Sequence, residues 1–184
     1  MSKQPILASD RLILRPFAIE DATVLTNLAG SKEIADTTIS IPHPYRLDYA
    51  KNWIAKHSIS FAEKTSVHFA IEIKETSQLI GSIELRDLDR EHLQGELSLW
   101  IAKYFWGQGF ATEAAKTILN YGFDRLNLNR ISAYHMVRNL NSGKVLKKIG
   151  MKREGLLRQR VKKWGKFEDV LMYAIIAPDR ELNS

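Results

Sequence analysis

The sequence predicts one α/β (α+β) domain: a mixed, mostly antiparallel sheet with a central parallel strand pair, flanked by helices. Three observations carry that expectation. Seven short segments alternate apolar and polar residues with the period of a strand. Residues 96–137 read strand, helix, strand, and a crossover of that length implies a parallel pair with right-handed connection. A chain of 184 residues, 45% hydrophobic and 26% charged, suits a single domain over 1–184, with its core at about 10–177.

The elements follow in order. Arg11-Leu-Ile-Leu-Arg-Pro-Phe reads as a first strand that Pro16 closes. Glu20-Asp21-Ala22 starts a helix through Leu25 and Leu28 that ends near Gly30. Pro42 and Pro44 make Ile39 to Tyr45 a loop, and a second helix runs through Tyr49, Trp53, Ile54 and His57. His68 to Ile73 and Leu79 to Leu85 form a hairpin turning at Glu75-Thr76-Ser77-Gln78. The strand around Trp100 is followed by a helix over 111–126 and a strand over 130–137. A short helix occupies 139–149, stopped by Gly150. Strands near 152–161 and 167–176, joined at Trp164-Gly165, complete the order β-α-α-β-β-β-α-β-α-β-β.

The stretch from Glu96 to Ala115 is the most informative. Leu97, Leu99 and Ile101 alternate, and Gly107 and Gly109 bracket Gln108, where backbone can turn sharply and approach a ligand without Cβ interference. A helix then opens at once with Ala111 and Thr112, so its unpaired N–H groups and dipole suit a phosphate or pyrophosphate. The same spacing also serves as a plain tight connection. No Gly-x-x-x-x-Gly-Lys-Ser/Thr is present, and the loop lacks the third glycine of the dinucleotide fingerprint. In a mixed sheet the crevice at the carboxyl ends of the parallel strands is the expected ligand site, and this loop lies there.

Composition narrows the chemistry. Zero cysteines exclude disulfides, thiolate metal sites and a cysteine nucleophile. The five histidines show no His-Glu-x-x-His spacing, so no metal site is expected. No apolar run reaches the length of a membrane span and no signal-peptide core opens the chain, which leads to an expectation of a cytoplasmic protein without membrane partners. The net charge of +6 favours an acidic ligand, and the excess concentrates between Lys144 and Lys166. That tract reads either as a nucleic-acid or ribosome-facing surface or as a solvated face that also steers a phosphorylated cofactor. Direct nucleic-acid binding is not expected, because no nucleic-acid module accompanies it.

Four pieces jointly resemble the GCN5-related N-acetyltransferase (GNAT) superfamily, and within it the RimJ/RimL-like ribosomal-protein-alanine/serine acetyltransferase branch. They are Arg11-Leu-Ile-Leu-Arg-Pro; Glu96-Leu-Ser-Leu-Trp-Ile with Trp106-Gly-Gln-Gly-Phe-Ala-Thr-Glu-Ala; Asn139-Leu-Asn-Ser142 with Lys148-Ile-Gly-Met; and Glu154-Gly155. The resemblance spans Arg11 to Ile176. It implies that the central parallel strands splay apart and that the chain moves an acetyl group from acetyl-CoA, used as co-substrate, directly to a primary amine. The acceptor would be a protein N-terminus, as on a ribosomal protein, or a small amine. It also implies that Gln108, Gly109, Phe110, Ala111 and Thr112 wrap the pyrophosphate, that Leu99, Trp100 and Ile101 pair with the pantetheine amides, and that Asn139 binds the same arm. The general pattern has Gln or Arg where this chain has Trp106. Without the resemblance, Asn139 reads as a helix cap. Relatives often pair, so a homodimer is an expectation of the family.

An amine that is protonated at neutral pH needs a base, and the departing thiolate needs a proton or a hydroxyl. Glu96 is the first candidate base, acting through water, and its alternative role is a strand-edge ion pair. Ser142 is the candidate that assists the thiolate. Glu84 is the fallback base, and Val161 stands where some relatives carry a glutamate. Tyr104 and Tyr173 read as acids or packing residues, with packing or pocket lining favoured for Tyr173. Tyr45, Trp53, His57 and Phe61 fall in the region that usually walls the acceptor site in this fold, and helical spacing equally makes them core residues. The competing function is a catalytically idle acyl-CoA-binding regulatory module. A pure nucleic-acid binder would leave the glycine loop and Asn-x-x-Ser unexplained.

Overall fold

In the computed structural model, which describes residues 3–180, eight strands form one sheet in the order β1-β2-β3-β4-β5-β6-β8-β7. The strands are β1 (Leu7–Ala8), β2 (Leu12–Arg15), β3 (Val67–Ile73), β4 (Gln78–Asp89), β5 (Gln94–Ile101), β6 (Arg130–Met136), β7 (Lys152–Lys163) and β8 (Lys166–Ile176). All neighbours are antiparallel except β5 and β6, which are parallel. That pairing runs only from Gln94↔Arg130 to Glu96↔Ser132. Beyond it β5 stays on β4 as far as Gly81↔Ile101, and β6 stays on β8 as far as Met136↔Val170. The two parallel strands therefore part, and their facing edges lose their ladder partners.

The helices cover the two faces unequally. Leu97, Leu99 and Ile101 point to the main core, where Ile118, Ala114 and Ala115 of α5 (Phe110–Asp124) pack on Leu12, Phe69, Ile83 and Ile131. On the other face α1 (Ala22–Ala29) and α3 (Leu47–Ala55) enclose a smaller cluster of Ala22, Leu25, Ala50 and Ile54, joined by Trp53 and Trp100. Strand alternation sends Ser82, Glu84, Arg86, Glu96, Ser98 and Trp100 to this second face.

The sequence-predicted elements are all present, and besides three short 3-10 turns (Ile19–Asp21, Lys103–Phe105 and Ala177–Arg180) three further local features are additional. A short β1 precedes the first strand, α2 (Lys32–Thr37) follows α1, and the second predicted helix divides into α3 and α4 (His57–Ala62). Ser31 caps α2 by accepting from the Ile34 N–H at 3.2 Å, a signal present in the sequence. Trp164 and Gly165 both take positive φ (46° and 80°), which suits the tight β7–β8 turn. No helix among the described residues is long and apolar enough to cross a membrane.

Candidate functional site

A cavity of about 810 Å³ occupies the gap where β5 and β6 part, and it continues under α1, α3 and the 38–45 loop. One end is the glycine loop. Gly107 and Gly109 sit at φ of 76° and 85°, a region where a side chain is strained. Gly109 is the residue before α5, no side chain caps the helix start, and the first intrahelical bond runs from the Glu113 N–H to the Gly109 carbonyl. The N–H groups of Phe110, Ala111 and Thr112 thus precede the helical ladder, and Gly109, Phe110, Ala111 and Thr112 line the cavity. Phe110 is buried and anchors the turn in the core.

Arg11 braces this loop from β2's threshold. Its Nη1 donates to the Gln108 carbonyl at 3.1 Å, and its guanidinium lies 4.5 Å from the centre of the Phe110 ring. Glu113 accepts from the Arg11 Nε and backbone N–H, both at 2.8 Å, and from Ser9 Oγ at 2.7 Å. Burial pushes the Glu113 carboxyl up, but these hydrogen bonds outweigh it and hold the group below the usual carboxylate range. The Gln108 side chain turns back to donate to the Tyr104 carbonyl at 3.0 Å, away from the cavity wall. Trp106 Nε1 donates to the Ile101 carbonyl at 2.5 Å, which fixes the end of β5.

The opposite wall of the gap is α6 (Leu140–Lys148). Asn139 caps it, its Oδ1 accepting from the Ser142 N–H at 3.2 Å while its Nδ2 donates to the Thr37 carbonyl at 3.3 Å. Asn139, Ser142, Lys144 and Lys148 line the cavity together with Leu99, Trp100 and Ile101. The basic tract is therefore divided by the fold. Lys144 and Lys148 border the gap, Lys163 is buried and donates to the Ile41 carbonyl at 2.9 Å, and Arg158 and Arg160 stand exposed on β7.

The inner floor is a row of charges. Arg86 Nε and Nη2 donate to the same Glu96 oxygen at 2.9 and 2.5 Å, and Arg86 Nη1 lies 3.7 Å from Glu84. Burial pulls the Arg86 guanidinium down, yet Glu96 and then Glu84 raise it above its ordinary value. Glu84 continues to His68, whose Nδ1 lies 2.5 Å from Glu84 Oε2, and His68 Nε2 lies 2.8 Å from Ser66 Oγ. His57 stacks on His68 at 4.1 Å and 5° between planes. Burial, with a smaller contribution from His68, pushes His57 down to about 3. Tyr45, Trp53 and Trp100 form the walls above this floor.

Glu96, Ser142, Leu99, Trp100, Ile101, Gly109, Phe110, Ala111, Thr112 and Asn139 are thus brought to one cavity. Gln108 takes part through its backbone carbonyl on Arg11. Tyr104 is 90% exposed, and Tyr173 is buried beside His135 beneath α6, so neither lines the cavity. Tyr134 does, with its hydroxyl 3.5 Å from Arg86. Phe61 faces a second cavity. Arg11, His68 and Arg86 were not among the candidate site residues expected from the sequence. The alternation Ile83-Glu84-Leu85-Arg86, with charges inside a strand otherwise apolar, was the available signal for the last.

A sheet opened at one parallel pair, with an anion-suited helix start at the mouth of the gap, defines an acyltransferase of the GNAT type. Residues 11–152 match the acetyltransferase (GNAT) domain, and the chain belongs to that family. It is 32% identical to the uncharacterized N-acetyltransferase YoaA of Bacillus subtilis, over 95% of this chain and 98% of the relative. It is 27% identical to the spermidine N(1)-acetyltransferase of Vibrio cholerae, over 88% and 91% of the two chains. Among solved structures, the ribosomal L7/L12 alpha-N-protein acetyltransferase RimL in complex with coenzyme A superposes with a TM-score of 0.87 at 17% identity, covering 94% and 98%.

Proposed function

We propose that the protein transfers the acetyl group of acetyl-CoA directly to a primary amine that carries a single positive charge. The gap between β5 and β6, closed at one end by a loop whose two glycines hold positive φ, carries this reading. A Cβ on Gly107 would project into open space, and one on Gly109 would lie 3.4 Å from Arg11, so the loop leaves its surface bare for a diphosphate. Acetyl-CoA supplies the activated acetyl group when bound. Phe110, Ala111 and Thr112 present N–H groups to its diphosphate, and Lys144 and Lys148 add positive charge beside the arm. The unladdered edge of β5 at Leu99 to Ile101 pairs with its amides and offers a backbone donor to the oxygen on which charge develops. Ser142 Oγ donates to the departing sulfur, and Asn139 holds the start of α6 in register.

The acceptor enters from the Tyr45–Trp53 side. Of the three carboxylates near the Arg86 guanidinium, Asp87 points to solvent at 3.9 Å, and Glu84 and Glu96 line the cavity, so the floor carries one net negative charge and suits one ammonium group. A polycation such as the substrate named for the spermidine relative would meet a chain of net charge +6. An N-terminal amine, including that of a ribosomal protein, or a small monoamine fits the floor better. The test is thiol release from acetyl-CoA against a panel of monoamines, polyamines and N-terminal peptides. Release with a monoamine or peptide supports the reading. Tight binding of acetyl-CoA without release for any acceptor would favour the idle binding module instead.

A further inference from the structure

The row of polar groups on the floor does not end in the main cavity. Glu84 lines that cavity, and on its far side it meets His68. His68 in turn meets Ser66, which lies on the wall of a second cavity of about 420 Å³ between α4 and the end of α5. His68, which lines neither cavity itself, therefore lies between a residue on the wall of each. Glu96 has no such continuation: its Oε1 accepts both short contacts from Arg86, and a guanidinium keeps its protons. A proton arriving at Glu96 has no onward acceptor in Arg86, whereas one arriving at Glu84 does in His68.

We propose that Glu84 takes the proton from the acceptor ammonium and that His68, a positioning and relay residue, passes it through Ser66 to the second cavity. The inference rests on the acetyl-transfer reading and deepens it. The proton balance is simple. An N–H bond of the ammonium breaks and an O–H bond forms on Glu84, directly or through one water. The proton then moves to Nδ1 of the neutral imidazole, which approaches Glu84 Oε2 to 2.5 Å without hydrogen-bond alignment in the resting structure, and the transfer restores the carboxylate. The Nε2 proton departs by way of Ser66 Oγ to water, and tautomer exchange returns the ring to its first state. No oxidant or further reactant is needed.

The groups facing His68 support the relay. Glu84 on β4 lies 2.5 Å from the ring's Nδ1, and Arg86 lies beyond it. From α4, His57 stacks on the ring with neither of its nitrogens hydrogen-bonded among the described residues, and it is neutral above strongly acidic pH, so it adds no competing charge. Trp53 of α3 closes the remaining side at 5.5 Å between ring centres. The ring is thus held between Ser66 Oγ, hydrogen-bonded to Nε2, and Glu84, close to an Nδ1 that has no aligned hydrogen bond among the described residues.

The experiment compares kcat and kcat/KM across pH for Glu84→Gln, Glu96→Gln, His68→Gln, His68→Ala and Ser66→Ala, with acetyl-CoA affinity measured by titration. Loss of a general base costs about 10²–10⁴-fold in rate, and Glu84→Gln is expected to show that loss in kcat with unchanged acetyl-CoA affinity. Glu96→Gln should act mainly on the acceptor KM. His68→Gln should lower kcat about tenfold, less than the roughly 10²–10⁴-fold cost of losing the base itself, shift the acidic limb of the profile, and leave acetyl-CoA affinity intact. Added imidazole should restore rate to His68→Ala, which a packing role would not permit. A larger kcat loss in Glu96→Gln than in Glu84→Gln, or a pH profile unchanged in His68→Gln, overturns the relay. If the unaltered protein binds acetyl-CoA but acetylates no amine, the acetyl-transfer reading fails instead.

Discussion

Arg11 and Glu113, 102 residues apart in sequence, form a salt bridge of 2.7 Å that ties the first long strand to the opening turn of α5. The pair matters through what else Arg11 touches. The same guanidinium holds the Gln108 carbonyl and covers Phe110, so it sets the shape of the loop from the protein side. Arg11→Ala should weaken acetyl-CoA binding several-fold. It should barely alter thermal stability, because the Arg11 side chain is 49% exposed and such pairs are worth only about 0–1 kcal/mol. Titration calorimetry beside a melting curve checks both halves, and a large fall in Tm without loss of affinity would contradict the assignment.

Gly109 cannot be replaced without consequence. At φ of 85° any Cβ is strained, and an aspartate would add a negative charge where the diphosphate is expected. Gly109→Asp should reduce acetyl-CoA affinity by about two orders of magnitude, equivalent to about 2.7 kcal/mol. Gly109→Ala should fall between, losing affinity through strain alone. Equal affinity in all three proteins would remove the loop from the site.

Ser142 tests the thiolate end. Its backbone N–H is committed to Asn139, so removing the hydroxyl leaves the α6 cap in place. Ser142→Ala should lower kcat about tenfold or more and leave acetyl-CoA affinity near that of the parent, the pattern of a group used in the transition state. Unchanged turnover across pH would assign the role elsewhere.

His57 gives the protein a pH-dependent stability. Its folded-state value of about 3 lies below the ordinary 6.5, so the unfolded chain binds a proton that the folded chain refuses. The contribution is fully present above about pH 6.5 and is lost progressively as pH falls from there toward 3. Over that window the slope is at most about 1.4 kcal/mol per pH unit. His57→Phe, which keeps a ring against Trp53 and His68, should flatten denaturant midpoints between pH 6.5 and 4. A slope identical to the parent's would show that another group carries it.

Much of the fold and of the cofactor end was legible because it depends on local rules. Period-two alternation marks Leu97, Leu99 and Ile101 as core whatever surrounds them, and a Gly-x-Gly turn before a helix leaves N–H groups free by backbone geometry alone. The capping role of Asn139 is equally local. The strand order was not legible. β8 inserts between β6 and β7, and nothing within either hairpin strand encodes which one pairs with β6. The division of the Lys144–Lys166 tract between cavity border, buried contact and open surface was hidden for the same reason.

The sequence by itself determined the element types, the glycine loop, the absence of cysteine chemistry and, through joint motifs, the family. Tertiary structure alone decided how the charged residues combine. Glu84, Arg86, Glu96 and His68 come from three strands, and their partners follow from register: His68↔Glu84 and Arg86↔Glu96 are opposed because β3, β4 and β5 align as they do. A shift of one residue would send each to the other face, so the acceptor floor exists only once long-range pairing is set.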